Sequence, residues 1–118
     1  MTALSSEDSP VYIRLRATIS AAILRGEYHA GDQLPSVRAL AAEHGANPLT
    51  VAKAYQTFQE EGLVTVRRGI GMFVGDGAAE RLRHAGRARF LAEEWPAIAR
   101  RMRQLAIDPA ELIGRAAG

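Results

Sequence analysis

Between Val37 and Phe58 the chain carries two short apolar helical patterns separated only by Gly45-Ala46-Asn47, and no other feature limits its fold so tightly. In "SVRALAAEHGANPLTVAKAYQTF", Val37, Leu40 and Ala41 make one apolar side, while Val51, Ala54, Tyr55 and Phe58 recur at i, i+3, i+4 and i+7. Gly45 supplies a left-handed stop for the first helix. Asn47 is a good N-cap for the second, and Pro48 lacks the amide that would be orphaned at the first helical position. Ser36 is the matching cap of the shorter helix. Helix, three-residue turn, helix is the order of a helix-turn-helix.

The flanking segments extend this pattern. Residues 1–8 lack periodicity and look like a mobile tail. From Ser9-Pro10, a cap and a first-turn proline, Tyr12, Leu15, Ile19 and Ile23 mark an amphipathic helix that ends at Gly26, with Arg14, Arg16 and Arg25 between the apolar positions. The chain then turns and runs extended through Gln33 and Leu34 to Pro35. After Gly62 the period drops towards two, and "LVTVRRGIGMFVG" reads as two strands joined by a glycine-containing, basic turn. Residues 78–118 are helical in pattern, with breaks expected at Trp95-Pro96 and at the Asp108-Pro109 cap. The fold class is α+β, mainly α: a winged helix-turn-helix domain over 9–76 followed by a short helical region over 77–118.

Composition narrows the function classes. The 118 residues hold one domain and a short appendage. The absence of cysteine excludes disulfides, thiolate metal sites and cysteine nucleophiles. No apolar stretch approaches a membrane span and the N-terminus is not signal-like, so a cytoplasmic protein without a membrane partner is expected. Net charge is only +2, but fourteen of the fifteen basic residues are Arg, Lys53 being the exception. Guanidinium groups suit two-point phosphate recognition, although the balance on its own favours a solvated, mixed-sign surface over a nucleic-acid partner.

In a winged helix-turn-helix the second helix of the pair enters the DNA major groove. Its buried stripe here would be Val51, Ala54, Tyr55 and Phe58, which leaves Asn47, Leu49, Thr50, Lys53 and Gln56 outward or beside the start. The amides of that start would favour a nearby phosphate. Each side chain has an ordinary explanation as a cap or an exposed helix residue. Together, and with Arg38 just after the Ser36 cap, they favour DNA. Arg67 and Arg68, on a turn with Gly69 and Gly71, suit the minor groove or the phosphate backbone. An enzyme is not expected. His29, His44 and His84 are scattered, Glu60-Glu61 and Glu93-Glu94 diverge around a helix, and "GIG" lacks a phosphate-loop context, so no catalytic, metal or cofactor site is expected.

Residues 26–74, "GEYHAGDQLPSVRALAAEHGANPLTVAKAYQTFQEEGLVTVRRGIGMFV", closely resemble the DNA-binding domain of GntR-family transcription regulators. The shared features are Gly-x-Tyr-x-x-Gly-Asp-x-Leu-Pro-Ser-x-Arg, Asn-Pro-x-Thr-Val, and Glu-Gly-Leu-Val followed by Arg-Gly-x-Gly-x-Phe-Val. With the first helix, the resemblance covers about 65 of 118 residues. It implies that Arg38, Asn47, Thr50, Lys53, Arg68 and Gly69 correspond to operator-contacting positions. Ser36, Arg67 and Gly71 complete the candidate DNA-binding set. Pro48, Leu49 and Ala52 stand where some relatives carry basic or hydroxyl residues, so base preference does not carry over.

The short C-terminal region resembles that of the YtrA subfamily, which implies dimerisation and a repressor role without a large effector domain. Phe90, Leu91, Trp95, Ile98, Met102 and Leu105 are the candidate dimerisation residues, since two isolated helices could not bury them. The expectation is a homodimeric repressor on a palindromic double-stranded operator, using recognition helix 47–61 and wing 63–74. A protein-interaction module, or the DNA-binding portion of a longer effector-sensing regulator, stays open, as does a small-molecule effector.

Overall fold

The computed structural model describes residues 9–116, so the tail expected at 1–8 lies outside the described residues. The elements are α1 (Pro10–Leu24), α2 (Val37–His44), α3 (Pro48–Glu60), β1 (Val64–Arg67), β2 (Gly71–Val74), α4 (Ala78–Arg89), α5 (Trp95–Gln104) and α6 (Pro109–Ala116). The architecture is mainly helical with one small antiparallel wing. The chain divides into two compact units, one through Arg83 and the other from His84.

In the first unit three polar side chains set the helix starts. Ser9 Oγ accepts from the Tyr12 amide at 3.1 Å, Ser36 Oγ from the Ala39 amide at 3.0 Å, and Asn47 Oδ1 from the Leu49 amide at 2.9 Å. Between α2 and α3, Gly45 takes φ 60° and ψ 34°, a left-handed conformation that costs most residues energy and glycine little. The short turn therefore has one low-energy route, and it fixes where α3 begins.

Helix α3 packs on α1, α2 and β1. Leu15, Val51 and Phe58 are fully enclosed, with Ile19, Ile23, Leu40, Tyr55, Leu63, Val64 and Val74 around them. Burial of each large aliphatic or aromatic side chain contributes roughly 1.5–3 kcal/mol. A polar clamp joins α1 to the outer edge of this core. Arg16 donates to Thr57 Oγ1 at 2.7 Å and to both oxygens of Glu61 at 2.6 and 2.9 Å, and its guanidinium lies 4.4 Å from the Phe58 ring centre. Tyr12 Oη lies 2.8 Å from Thr57 Oγ1, which itself donates to Ala54 O at 2.8 Å.

Strands β1 and β2 pair from Val64↔Val74 to Arg67↔Gly71. The extended segment before α2 does more than connect elements. Gln33 bridges to Phe73, Leu34 N donates to Met72 O at 2.8 Å, and Val74 N donates to Asp32 O at 2.9 Å. Backbone groups along the second edge of β2 thus find partners instead of staying open.

In the second unit the break expected at Trp95-Pro96 is absent. Phe90–Glu94 form a π-helical turn instead, and the Trp95 amide donates to Phe90 O. Proline lacks an amide and its ring crowds the carbonyl four residues back; an extra residue in the preceding turn accommodates both. The Asp108-Pro109 start is present as read, with Asp108 Oδ1 accepting from the Ala110 amide at 3.0 Å.

Candidate nucleic-acid interface

Helix α3 has two sharply different sides. Val51, Ala54, Tyr55 and Phe58 are 0–3% exposed, whereas Asn47, Pro48, Leu49, Ala52 and Gln56 are exposed and Thr50 and Lys53 half-buried. Helical spacing puts Leu49, Ala52, Lys53 and Gln56 on one outward stripe. Thr50, in the first turn of the helix, adds a hydroxyl that can both donate and accept.

The start of α3 is held from within. Pro48 has no amide, the Leu49 amide is taken by Asn47 Oδ1, and the amides of Thr50 and Val51 donate to Asn47 O at 2.9 and 3.2 Å. Asn47 thus uses its side-chain oxygen for capping, and the exposed Leu49 with the half-buried Thr50 and Lys53 are the side chains at this start that the core leaves uncovered. The start of α2 differs. Ser36 Oγ and Ser36 O engage the amides of Ala39 and Leu40, and among the described residues the amides of Val37 and Arg38 have no acceptor. Arg38 is exposed beside them. Amides at a helix start with a neighbouring guanidinium favour an anion.

At the wing tip, Ile70 N donates to Arg67 O at 2.9 Å and Gly69 has φ 79°, which closes a tight turn. Arg68 projects from it, exposed and without an ion pair among the described residues. Arg67 is placed differently. Its guanidinium lies 4.5 Å from the Phe73 ring centre, so its position is set by a cation–π contact along the wing. Gln33 supports the turn by donating from Nε2 to Ile70 O at 3.1 Å. In the sequence Gln33 reads as part of an extended connection, and no local signal links it to a turn 37 residues on. The Arg67–Phe73 contact follows from register, because Phe73 is the diagonal neighbour of Arg67 once Arg67 faces Gly71.

The fold thus brings the α3 residues to one helix start and the wing residues to one turn. Of the C-terminal candidates, Phe90, Leu91, Trp95, Ile98 and Leu105 are 39–52% exposed, and Leu112 and Ile113 add exposed apolar surface. Met102, the remaining candidate, is 7% exposed and packs inside its own unit. Among the described residues no three His, Asp or Glu side chains come together to hold a metal, and no helix is long and apolar enough to cross a membrane.

Tyr55 carries a phenol whose chemistry the fold alters. Burial raises its pKa well above the ordinary value, with smaller contributions from Tyr28 and Glu43, so it stays protonated and donates to Pro35 O at 2.6 Å. This bond ties α3 to the residue before the α2 cap.

Comparison with known proteins bears on this arrangement. The family described as "Bacterial regulatory proteins, gntR family" matches residues 11–74. The HTH-type transcriptional repressor YtrA of Bacillus subtilis is 39% identical over 70 residues, which are 59% of this chain and 54% of that one. The chain thus spans about half the length of this curated relative. A solved GntR family transcriptional regulator from Listeria monocytogenes matches with a TM-score of 0.71 and 29% identity, over 94% of this chain and 96% of that one. The DNA-binding domain of AraR, solved in complex with operator ORX1, matches with a TM-score of 0.55 and 27% identity, over 64% of this chain and 90% of that one.

Proposed function

Because the chain belongs to the GntR family of bacterial regulatory proteins, we propose that it is a cytoplasmic, homodimeric repressor of transcription that binds a palindromic operator. The observation that carries this reading is the division of α3: one side is enclosed by the core, and the other presents Leu49, Thr50, Lys53 and Gln56 from a helix start fixed by Asn47. A helix held so firmly from behind can enter a major groove without rearranging. Arg68 at the wing tip supplies a cation for the flanking minor groove or backbone, and Ser36, Arg38 and the α2 amides supply a second phosphate contact. Arg67, Gly69 and Gly71 shape the tip. The similarity to an operator-bound AraR domain supports this reading.

Phe90, Leu91, Trp95, Ile98 and Leu105 supply the apolar surface through which two copies associate. Two-fold symmetry then calls for half-sites about 34–36 Å apart, or a multiple of that spacing. No catalytic step and no cofactor enter the reading. In-vitro selection of bound duplexes tests it: a symmetric consensus is expected, and recovery of sequences without a shared motif contradicts it.

A further inference from the structure

We propose that Leu49 selects thymine in the operator, by packing against the C5-methyl group that thymine presents in the major groove. The inference rests on the reading of α3 as the helix that enters that groove. At 78% exposure, Leu49 is the most exposed large apolar side chain among the described residues. It lies in the first turn of α3, and its amide is bonded to Asn47 Oδ1, so the position of its backbone is set before any partner arrives.

The chemistry of the outward stripe narrows what it can read. Leu49 and Ala52 carry no donor or acceptor, and Lys53 offers a positive charge suited to phosphate. Polar base edges in reach of the first turn and a half would leave Leu49 facing unpaired donors and acceptors. Among unmodified base pairs, thymine alone presents a methyl group in the major groove, and contact with an apolar side chain is how it is read. An exposed leucine by itself needs no explanation. This one heads the stripe that the core leaves uncovered, on a helix start that the fold holds rigidly.

The test uses the full chain and a duplex recovered by selection. Each thymine is replaced in turn by deoxyuridine, which keeps every hydrogen-bonding group and removes only the methyl. At one thymine per half-site, affinity is expected to fall about fourfold, the ratio for one buried methyl-sized group. Leu49→Ala is expected to weaken binding to the thymine duplex and to bring the thymine-to-uracil ratio close to one. Lys53→Ala is expected to weaken both duplexes alike and to keep the ratio. If binding is sequence-specific but no thymine is sensitive, or if the sensitivity persists in Leu49→Ala, the assignment of Leu49 is overturned while the DNA-binding reading stands. If no duplex is selected at all, the DNA-binding reading fails and the inference with it.

Discussion

Replacing Tyr55 with phenylalanine removes one oxygen from an otherwise enclosed ring and leaves the apolar contacts of α3 in place. The lost group donates to Pro35 O at 2.6 Å from a residue only 3% exposed, so the variant forfeits the bond and leaves a carbonyl without its donor. A net hydrogen bond contributes roughly 0.5–1.5 kcal/mol and an orphaned buried polar group costs about 1–3 kcal/mol; Pro35 is half-buried, which places the expected loss near 1–2 kcal/mol. The pH dependence supplies a second, independent number. The folded phenol ionises well above 10.0, its ordinary value, because burial opposes the phenolate. Above pH ~10 the unfolded chain sheds this proton while the folded chain keeps it, so the stabilisation is complete below that pH and declines as pH rises, by about 1.4 kcal/mol per unit. Urea denaturation at fixed protein concentration should show the parent more stable by ~1–2 kcal/mol at pH 7, with the two proteins converging near pH ~11. Parallel curves for parent and Tyr55→Phe across that range would refute the argument, as would a difference at pH 7 below about 0.3 kcal/mol.

Three further outcomes follow from the packing. Gly75→Ala would place a Cβ 2.7 Å from Gly62 O, a backbone atom that cannot turn away, and should lower stability by roughly 1–3 kcal/mol in a thermal melt. Arg16→Ala should cost about 1 kcal/mol, part of it lost at high salt, because the Glu61 side chain is 45% exposed and its charge is screened; urea midpoints at two ionic strengths measure this. Ile98→Glu with Leu105→Glu places two charges on the exposed apolar face of α5 and the residue that follows it, and sedimentation equilibrium should then report a monomer that keeps its helical content.

Local chemistry made much of the first unit legible. Serine at 9 and 36, asparagine at 47 and glycine at 45 act within three residues of themselves, so their effect on helix ends could be read without knowing the fold. The enclosed stripe of α3 was legible because helical periodicity alone decides which residues share a side. Interactions between distant segments were not. Arg16 reads as one of several exposed arginines until α1 lies against α3, where it meets Thr57 and Glu61. Gln33 gains its role only when the wing folds beside it. The π-helical turn before Pro96 escaped because a proline in a helical pattern is compatible with either a break or a wider turn, and packing chooses between them. Met102 has the same apolar character as its exposed neighbours, and only the arrangement of the helices separates them.

The most direct test of the central claim is the salt dependence of binding to a selected duplex for the parent and for Lys53→Ala with Arg68→Ala. If α3 and the wing tip hold phosphates, the variant should bind specific and unrelated DNA more weakly. The slope of log K against log salt should then shrink by about 1.8 per subunit, or ~0.9 for each phosphate that is no longer neutralised. Superimposable titrations for parent and variant at every salt concentration would contradict the account.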